Sequence, residues 1–219
     1  MTLHNETDAR GWLEGLPEWD ALTAERLACL VALLRAENAR QNLVSAASLE
    51  AVWLRHIADS AQLLRHVSRE TCSPWLDMGT GAGFPGLVIA ALRPDCEVIM
   101  VESRARRIEW LDRARQELGL NRARIEGTRL ELVPSRPVRV ISARAFAPLA
   151  RLLDLSARFS TADTIWLLPK GRSAPQELRE LTRWQHMFHV EQSLTDPEAG
   201  IIVGSLIGPA SAGTKGNRL

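Results

Sequence analysis

The densest chemistry in the chain lies in ten residues, Asp77-Met78-Gly79-Thr80-Gly81-Ala82-Gly83-Phe84-Pro85-Gly86. Alternating glycines at 79, 81 and 83 free the backbone for positive φ and admit a ligand closer than a Cβ would allow. The loop follows the short apolar run Trp75-Leu76 and opens a helical stretch, with Pro85 suited to its first turn. Glu102 closes the next apolar run, Val98 to Val101. A carboxylate there can accept hydrogen bonds from the two hydroxyls of a ribose.

Two ligands compete for this pattern. Gly81-Ala82-Gly83-Phe84-Pro85-Gly86 satisfies the dinucleotide fingerprint, and Glu102 stands at a tolerable distance from it. The alternative is an acid-x-Gly-x-Gly-x-Gly loop beginning at Asp77, the arrangement that takes S-adenosylmethionine. Asp77 separates them. A carboxylate two residues before the first glycine would repel a pyrophosphate, whereas it suits the cationic amine of S-adenosylmethionine. The loop therefore favours methyl transfer, with Asp77 at the amino-acid end of the donor and Glu102 at its ribose. The alternatives are a methyltransferase for another acceptor, such as a small molecule or a protein, and an NAD(P)-dependent oxidoreductase.

The acceptor is narrowed by what is missing. Methylation of exocyclic amines commonly uses an Asn-Pro-Pro-aromatic element after the fourth strand, where this chain reads Ser142-Ala143-Arg144-Ala145-Phe146-Ala147-Pro148. Carbon methylation of pyrimidines needs a cysteine nucleophile. Cys96 precedes the second strand, and Cys29 and Cys72 lie outside the nucleotide-binding part. What remains is an atom that is already nucleophilic, such as a guanine ring nitrogen, for which positioning and electrostatics suffice. Arg144, at a predicted carboxyl strand end, is placed for ligand contact. Lys170 is the one lysine in the folded body of a chain with 25 arginines, and lysine and arginine differ in shape and hydration. Both are candidates for the substrate side. His56 and Asp59, three apart, read as a local polar pair on a helix. His186 and His189 fit no metal-ligand spacing.

These residues must be positioned by a fold. The 219 residues, 46% hydrophobic and 24% charged, suit one α/β domain with an extension. Residues 1–70 read as helical, with Thr23 capping a helix through Leu27, Leu30, Val31 and Leu34, and Ser48 starting another through Val67. Residues 71–208 alternate short apolar runs (Trp75-Leu76, Val98 to Val101, Ala123 to Ile125, Val138 to Ser142, Thr164 to Leu168, His189-Val190, Ile201 to Ile207) with helical stretches at 85–92, 104–118, 147–158 and 175–184. That alternation predicts a parallel sheet covered by helices. Residues 209–219 read as a flexible Gly/Ser/Ala-rich tail.

Charge is uneven. Residues 1–100 carry a net −5 and residues 101–158, with 13 Arg against 7 acids, a net +6, which suits a polyanion-facing surface. No apolar run approaches the ~18 residues of a membrane helix, and the polar start, Met1-Thr2-Leu3-His4-Asn5-Glu6, does not read as a signal peptide. Three cysteines without ligand spacing fit free thiols in a reducing cytoplasm.

Several segments together resemble one family, the bacterial small-subunit rRNA guanine-7 methyltransferases, or glucose-inhibited division protein B family. They are Asn42-Leu43, His56-Ile57-Ala58-Asp59-Ser60, Asp77 to Gly86, Glu102-Ser103 with Arg106-Arg107, Ser142-Ala143-Arg144-Ala145 with Pro148-Leu149, and Lys170-Gly171, in family order. The resemblance implies a Rossmann-like S-adenosylmethionine-dependent methyltransferase sheet whose helical N-terminal extension lids the cofactor. It implies methylation of a guanosine of 16S rRNA to 7-methylguanosine, the RNA being free or assembled into the small subunit, by a cytoplasmic monomer that needs no membrane. By similarity, Gly79 and Phe84 line the cofactor pocket, Leu130 and Glu131 flank the adenine, and Arg144 lies near both cofactor and substrate; Gly81 and Gly83 are cofactor-binding candidates from the glycine loop itself.

Overall fold

The computed structural model describes residues 1–70 and 72–210. Its centre is a seven-stranded sheet: β1 (Trp75–Met78), β2 (Val98–Val101), β3 (Ala123–Glu126), β4 (Val140–Ser142), β5 (Ile165–Gly171), β7 (His189–Gln192) and β8 (Gly200–Gly204), with β6 (Trp184–His186) outside it. The order is β3-β2-β1-β4-β5-β8-β7. The first five strands are parallel and β8 runs antiparallel to both β5 and β7. Order reverses between β1 and β4, so the crevice at their carboxyl ends is where ligands bind in open sheets of this kind. The glycine loop and Arg144 leave the sheet at that crevice.

Side chains alternate across the pleat. Trp75, Val98 and Met100 join an apolar cluster with α5 (Gly86–Leu92), α6 (Ala105–Glu117) and the N-terminal helices. Leu76, Met78, Ile99 and Val101 face the opposite cluster, with α7 (Leu149–Ser156) and Trp166. Helices α1 (Glu6–Glu14), α2 (Ala21–Asn38) and α3 (Ala46–Glu50) lead to a helical run made of a π-type segment Trp53–Ala58, α4 (Asp59–Ala61) and a 3₁₀ segment Gln62–His66. One core cluster spans these helices and the sheet. Among the described residues, no helix is long and apolar enough to cross a membrane.

The caps differ from the expected ones. Asp20, not Thr23, caps α2, accepting from Thr23 N at 2.7 Å, because a carboxylate two or three residues ahead of the free N–H groups is the stronger acceptor. Ser45, not Ser48, caps α3, and the helix expected from Ser48 to Val67 is broken into the short segments above. α8 (Ala174–Arg179) stops well before 184, where β6 begins. The run Ile201 to Ile207 is two strands. Gly204 turns at φ 144°, and a Cβ there would stand 2.3 Å from Met187 O, so the chain leaves the main sheet and β9 (Leu206–Pro209) pairs with β6. The expected tail thus starts inside β9, and from residue 211 onward lies outside the described residues.

Candidate active site

The glycine loop is held by a buried polar network. Asp77 is fully buried, and its Oδ2 accepts from Thr80 Oγ1 at 2.5 Å and Gly86 N at 3.0 Å, while Oδ1 accepts from Ser142 Oγ at 2.8 Å. Ser142 in turn accepts from Trp75 Nε1 at 2.8 Å, tying β1, β4 and the loop together. Burial pushes the Asp77 carboxyl above its ordinary value, against three donors that favour its charged form. The expected contact between Asp77 and the amino-acid end of a ligand is therefore not preformed. Its oxygens brace the loop that would touch the ligand.

A cavity of about 430 Å³ opens beside the loop, a size suited to a small-molecule site. Gly79, Glu102, Leu130 and Glu131 line it. Glu102 follows β2 and is buried, with Oε1 accepting from Ser103 N (2.7 Å) and Arg104 N (2.9 Å) and Oε2 lying 3.8 Å from Arg107 Nη1. The group implied here is S-adenosylmethionine, and the residues fit it: a glycine at φ 64°, a carboxylate fixed at the strand end, and the Leu130–Leu132 turn opposite. Gly81 takes φ 59°, a backbone conformation that side chains rarely adopt, with room for a Cβ beside Arg107 Nη1 at 3.4 Å, whereas a Cβ on Gly83 would lie 2.3 Å from Leu87 Cδ1 and 3.2 Å from Leu111 Cδ2. Gly83 lets the loop pack onto α5 and α6 rather than lining the cavity.

A second cavity, of about 590 Å³, lies on the other side of the segment that follows Arg144. Arg144 donates to Asp59 Oδ2 and to Arg55 O at 3.2 and 3.3 Å, and its Nη2 stands 3.2 Å from His56 Nδ1. Asp59 is held in place by Gln62 Nε2 (2.9 Å) and Thr195 Oγ1 (2.7 Å) on its other oxygen. His56 and Asp59 thus converge on Arg144 rather than forming a pair of their own. His56 stacks on Phe84, centroids 4.8 Å apart, and Arg144 lies over the same ring at 5.3 Å. Burial, with the charges of Arg144 and Arg55, pushes the His56 pKa down to about 3. With Nδ1 facing a donor, the proton of the neutral ring sits on Nε2, which has no partner. Phe84 is buried under this cluster.

Lys170 lies almost wholly buried at the end of β5. Its Nζ donates to Ala147 O and pairs with Glu177 Oε2 at 3.0 Å. Glu177 also accepts from Leu149 N (2.7 Å) and Ser173 Oγ (2.7 Å). Burial opposes the charge on Glu177, but Ser173 and Lys170 hold its carboxyl below the ordinary value. Lys170 thus lines the second cavity together with Glu177, its charge held by that carboxylate and by Ala147 O rather than left free for a ligand. Glu177 and Thr195 carry no motif signal, and the role of Ser142, although it lies inside a family motif, is not legible there, since these roles depend on partners distant in sequence. The N-terminal segment borders the second cavity through Ser48, Arg55, His56 and Asp59, and contributes no residue to the wall of the first. The cysteines are remote: Cys72 and Cys96 meet ahead of β1 and β2, at the amino ends of the strands.

A family model described as GidB, rRNA small subunit methyltransferase G, matches residues 23–198. The chain belongs to the GidB family. A relative named ribosomal RNA small subunit methyltransferase G from Novosphingobium aromaticivorans is 59% identical over 210 residues, covering 94% of this chain and 91% of its own. Another of the same name, from Erythrobacter litoralis, is 62% identical over 186 residues, covering 84% and 89%. Among solved structures, a methyltransferase from Geobacter sulfurreducens aligns with a TM-score of 0.54 at 15% identity, over 92% of this chain and 96% of that one. An RNA methyltransferase from Salinibacter ruber, in complex with S-adenosyl-L-homocysteine, aligns with a TM-score of 0.52 at 10% identity, over 68% and 90%. At such identities the likeness is one of fold, and it is the Rossmann-like methyltransferase fold. In this GidB chain the glycine loop and the Arg144 cluster sit at the same sheet end, a few residues of wall apart.

Proposed function

We propose that this GidB-family protein transfers the methyl group of S-adenosylmethionine to N7 of a guanosine in small-subunit, 16S, rRNA. The observation that carries the reading is the shared wall: the cavity beside Gly79 and Glu102 and the cavity beside Arg144 both include Ala145, Phe146, Ala147 and Pro148. A donor in the first and an acceptor in the second would meet across it. When bound, S-adenosylmethionine supplies a methyl on a sulfonium, which an unprotonated lone pair can accept directly.

The residues around the second cavity suit such an acceptor. Guanine N7 has its lone pair free at neutral pH, so no side chain has to remove a proton, and His56 is held neutral and boxed in. Arg144, fixed by Asp59 and Arg55, offers a guanidinium whose placement suits a guanine O6 or a flanking phosphate. Charge on the nearby surface supports an RNA partner. Among the described residues Arg104, Arg106 and Arg151 are exposed and have no carboxylate within pairing distance. Arg104 and Arg151 rim the donor cavity.

The test is to incubate rRNA from a strain lacking the protein with purified protein and labelled donor, and to map 7-methylguanosine by cleavage at abasic sites. One new cleavage position is expected. Label without cleavage would move the reaction to another atom. No label, with tight NAD(P)H binding by calorimetry, would replace the donor.

A further inference from the structure

Phe146 belongs neither to the glycine loop nor to the Arg144 cluster, yet it borders both cavities. Of the four residues the cavities share, it alone is aromatic. Its ring lies so close to the loop that a Cβ on Gly79 would stand 2.3 Å from Phe146 Cδ2. The backbone is arranged to hold it there. Ala145, just before it, has φ 52°, and is the one non-glycine residue with positive φ among the described residues. A conformation unfavourable for alanine persists only where the surroundings over-determine it. Just after the ring, Ala147 O accepts from Lys170, and Leu149 N is tied to Glu177 at 2.7 Å. The chain is bent before the ring and pinned behind it, and the ring itself remains half-buried.

We propose that Phe146 is the platform on which the acceptor base stacks during transfer, an inference that rests on the guanosine reading above. A base drawn out of its RNA stack loses its neighbours, and an aromatic face replaces that contact. When a methyl group arrives on N7, a C–N bond forms as the C–S bond breaks, and the positive charge moves from sulfur to the purine. The face of an aromatic ring attracts cationic groups. The stack therefore strengthens as the purine gains charge, a contact worth more in the transition state than in the ground state. An aliphatic wall would exclude water equally well but would not gain in this way.

That difference sets the experiment. Phe146→Leu keeps an apolar group against Gly79 but removes the π face, whereas Phe146→Tyr keeps the face. With RNA and donor saturating, single-turnover transfer is expected to fall about 10- to 100-fold in Phe146→Leu and to stay within about threefold of wild type in Phe146→Tyr. RNA affinity measured without donor is expected to drop about fivefold or more in the leucine variant only. Donor affinity by calorimetry should hold within about threefold in both. A leucine variant as fast as wild type overturns the proposal, as does a tyrosine variant as slow as leucine. Collapse of donor affinity in Phe146→Leu overturns it too, making the ring a donor wall. If wild-type protein methylates a different acceptor, the guanosine reading fails, and the leucine–tyrosine comparison on that acceptor still decides the platform.

Discussion

Two residues at the site carry predictions that differ from those of a generic acid–base centre. His56 has its pKa near 3 and its Nδ1 against Arg144, so it stays neutral through the physiological range. Single-turnover transfer is therefore expected to be flat from about pH 6.5 to 8.5, since no essential group titrates there. The measurement is single-turnover because product release can hide the chemical step. An ascending limb near pH 6.5 that disappears in His56→Gln would mean a general base and a different acceptor atom. Lys170 sits between Ala147 O and Glu177 with almost no exposed surface. A guanidinium is larger and planar, so Lys170→Arg is expected to shift the wall, slowing single-turnover transfer about tenfold and lowering stability by about 1–3 kcal/mol. Wild-type turnover in that variant would show that any cation serves there.

At the scale of elements, the three alternating glycines separate into distinct jobs. Gly83 has φ 101° and no room for a Cβ against Leu87 and Leu111. Gly83→Ala is expected to cost about 2–4 kcal/mol by urea unfolding, from backbone strain and overpacking together. Donor affinity per folded molecule should be nearly retained, because the substitution acts on the seat of α5 and α6. Equal stability would mean the loop relaxes freely. Helix α6 carries the other prediction. Arg104 and Arg106, at its start, are exposed and unpaired, whereas Arg113 and Arg115 further along pair with Glu37 and Asp112. Reversing Arg104 and Arg106 to glutamate should weaken RNA binding and reduce the slope of log affinity against log salt by roughly 1.4–1.8, if each meets one phosphate. Unchanged affinity and slope would make this end of the helix a solvated face. The basic excess of residues 101–158 overstates the free charge. Arg107 and Arg129 are committed to the nearby Glu102 and Glu131, and Arg124 and Arg136 to Glu97, a long-range pairing that sequence spacing does not reveal.

For the whole molecule, two buried groups pull acid stability in opposite directions. His56 binds a proton in the unfolded chain below about pH 6.5 but resists it in the fold down to about pH 3. Its contribution is complete above the unfolded value and is lost as pH falls through that window. Asp77, raised by burial, does the reverse: the fold holds its proton more tightly than the unfolded chain, so its contribution weakens as pH rises from its unfolded value. Between pH 7 and 4.5 the His56 term is expected to remove about 2–3 kcal/mol, measured by urea unfolding. That part of the loss should be absent in His56→Gln. An identical pH dependence in both proteins would place His56 in contact with water.

The sequence by itself determined the α/β class, the glycine loop from Asp77 to Gly86, the acid at Glu102 and Arg144 at a strand end. These are legible because each depends on local chemistry: strand–glycine–helix punctuation, period-two burial, and a side-chain type at a fixed offset. It also carried enough ordered motifs to identify the family. Only the tertiary structure decided what each residue does. It tied Asp77 into the bracing of the loop, because Ser142 arrives from β4 with a hydroxyl for its second oxygen. It drew His56 and Asp59 onto Arg144, and paired Lys170 with Glu177 in the wall of the second cavity. It split the last apolar run at Gly204, since Met187 O occupies the space a side chain would need. And it placed Phe146 between two cavities, through a bend at Ala145 and ties to residues more than twenty positions away. Roles of this kind are set by partners that meet only when the chain closes on itself, so a one-dimensional pattern cannot hold them.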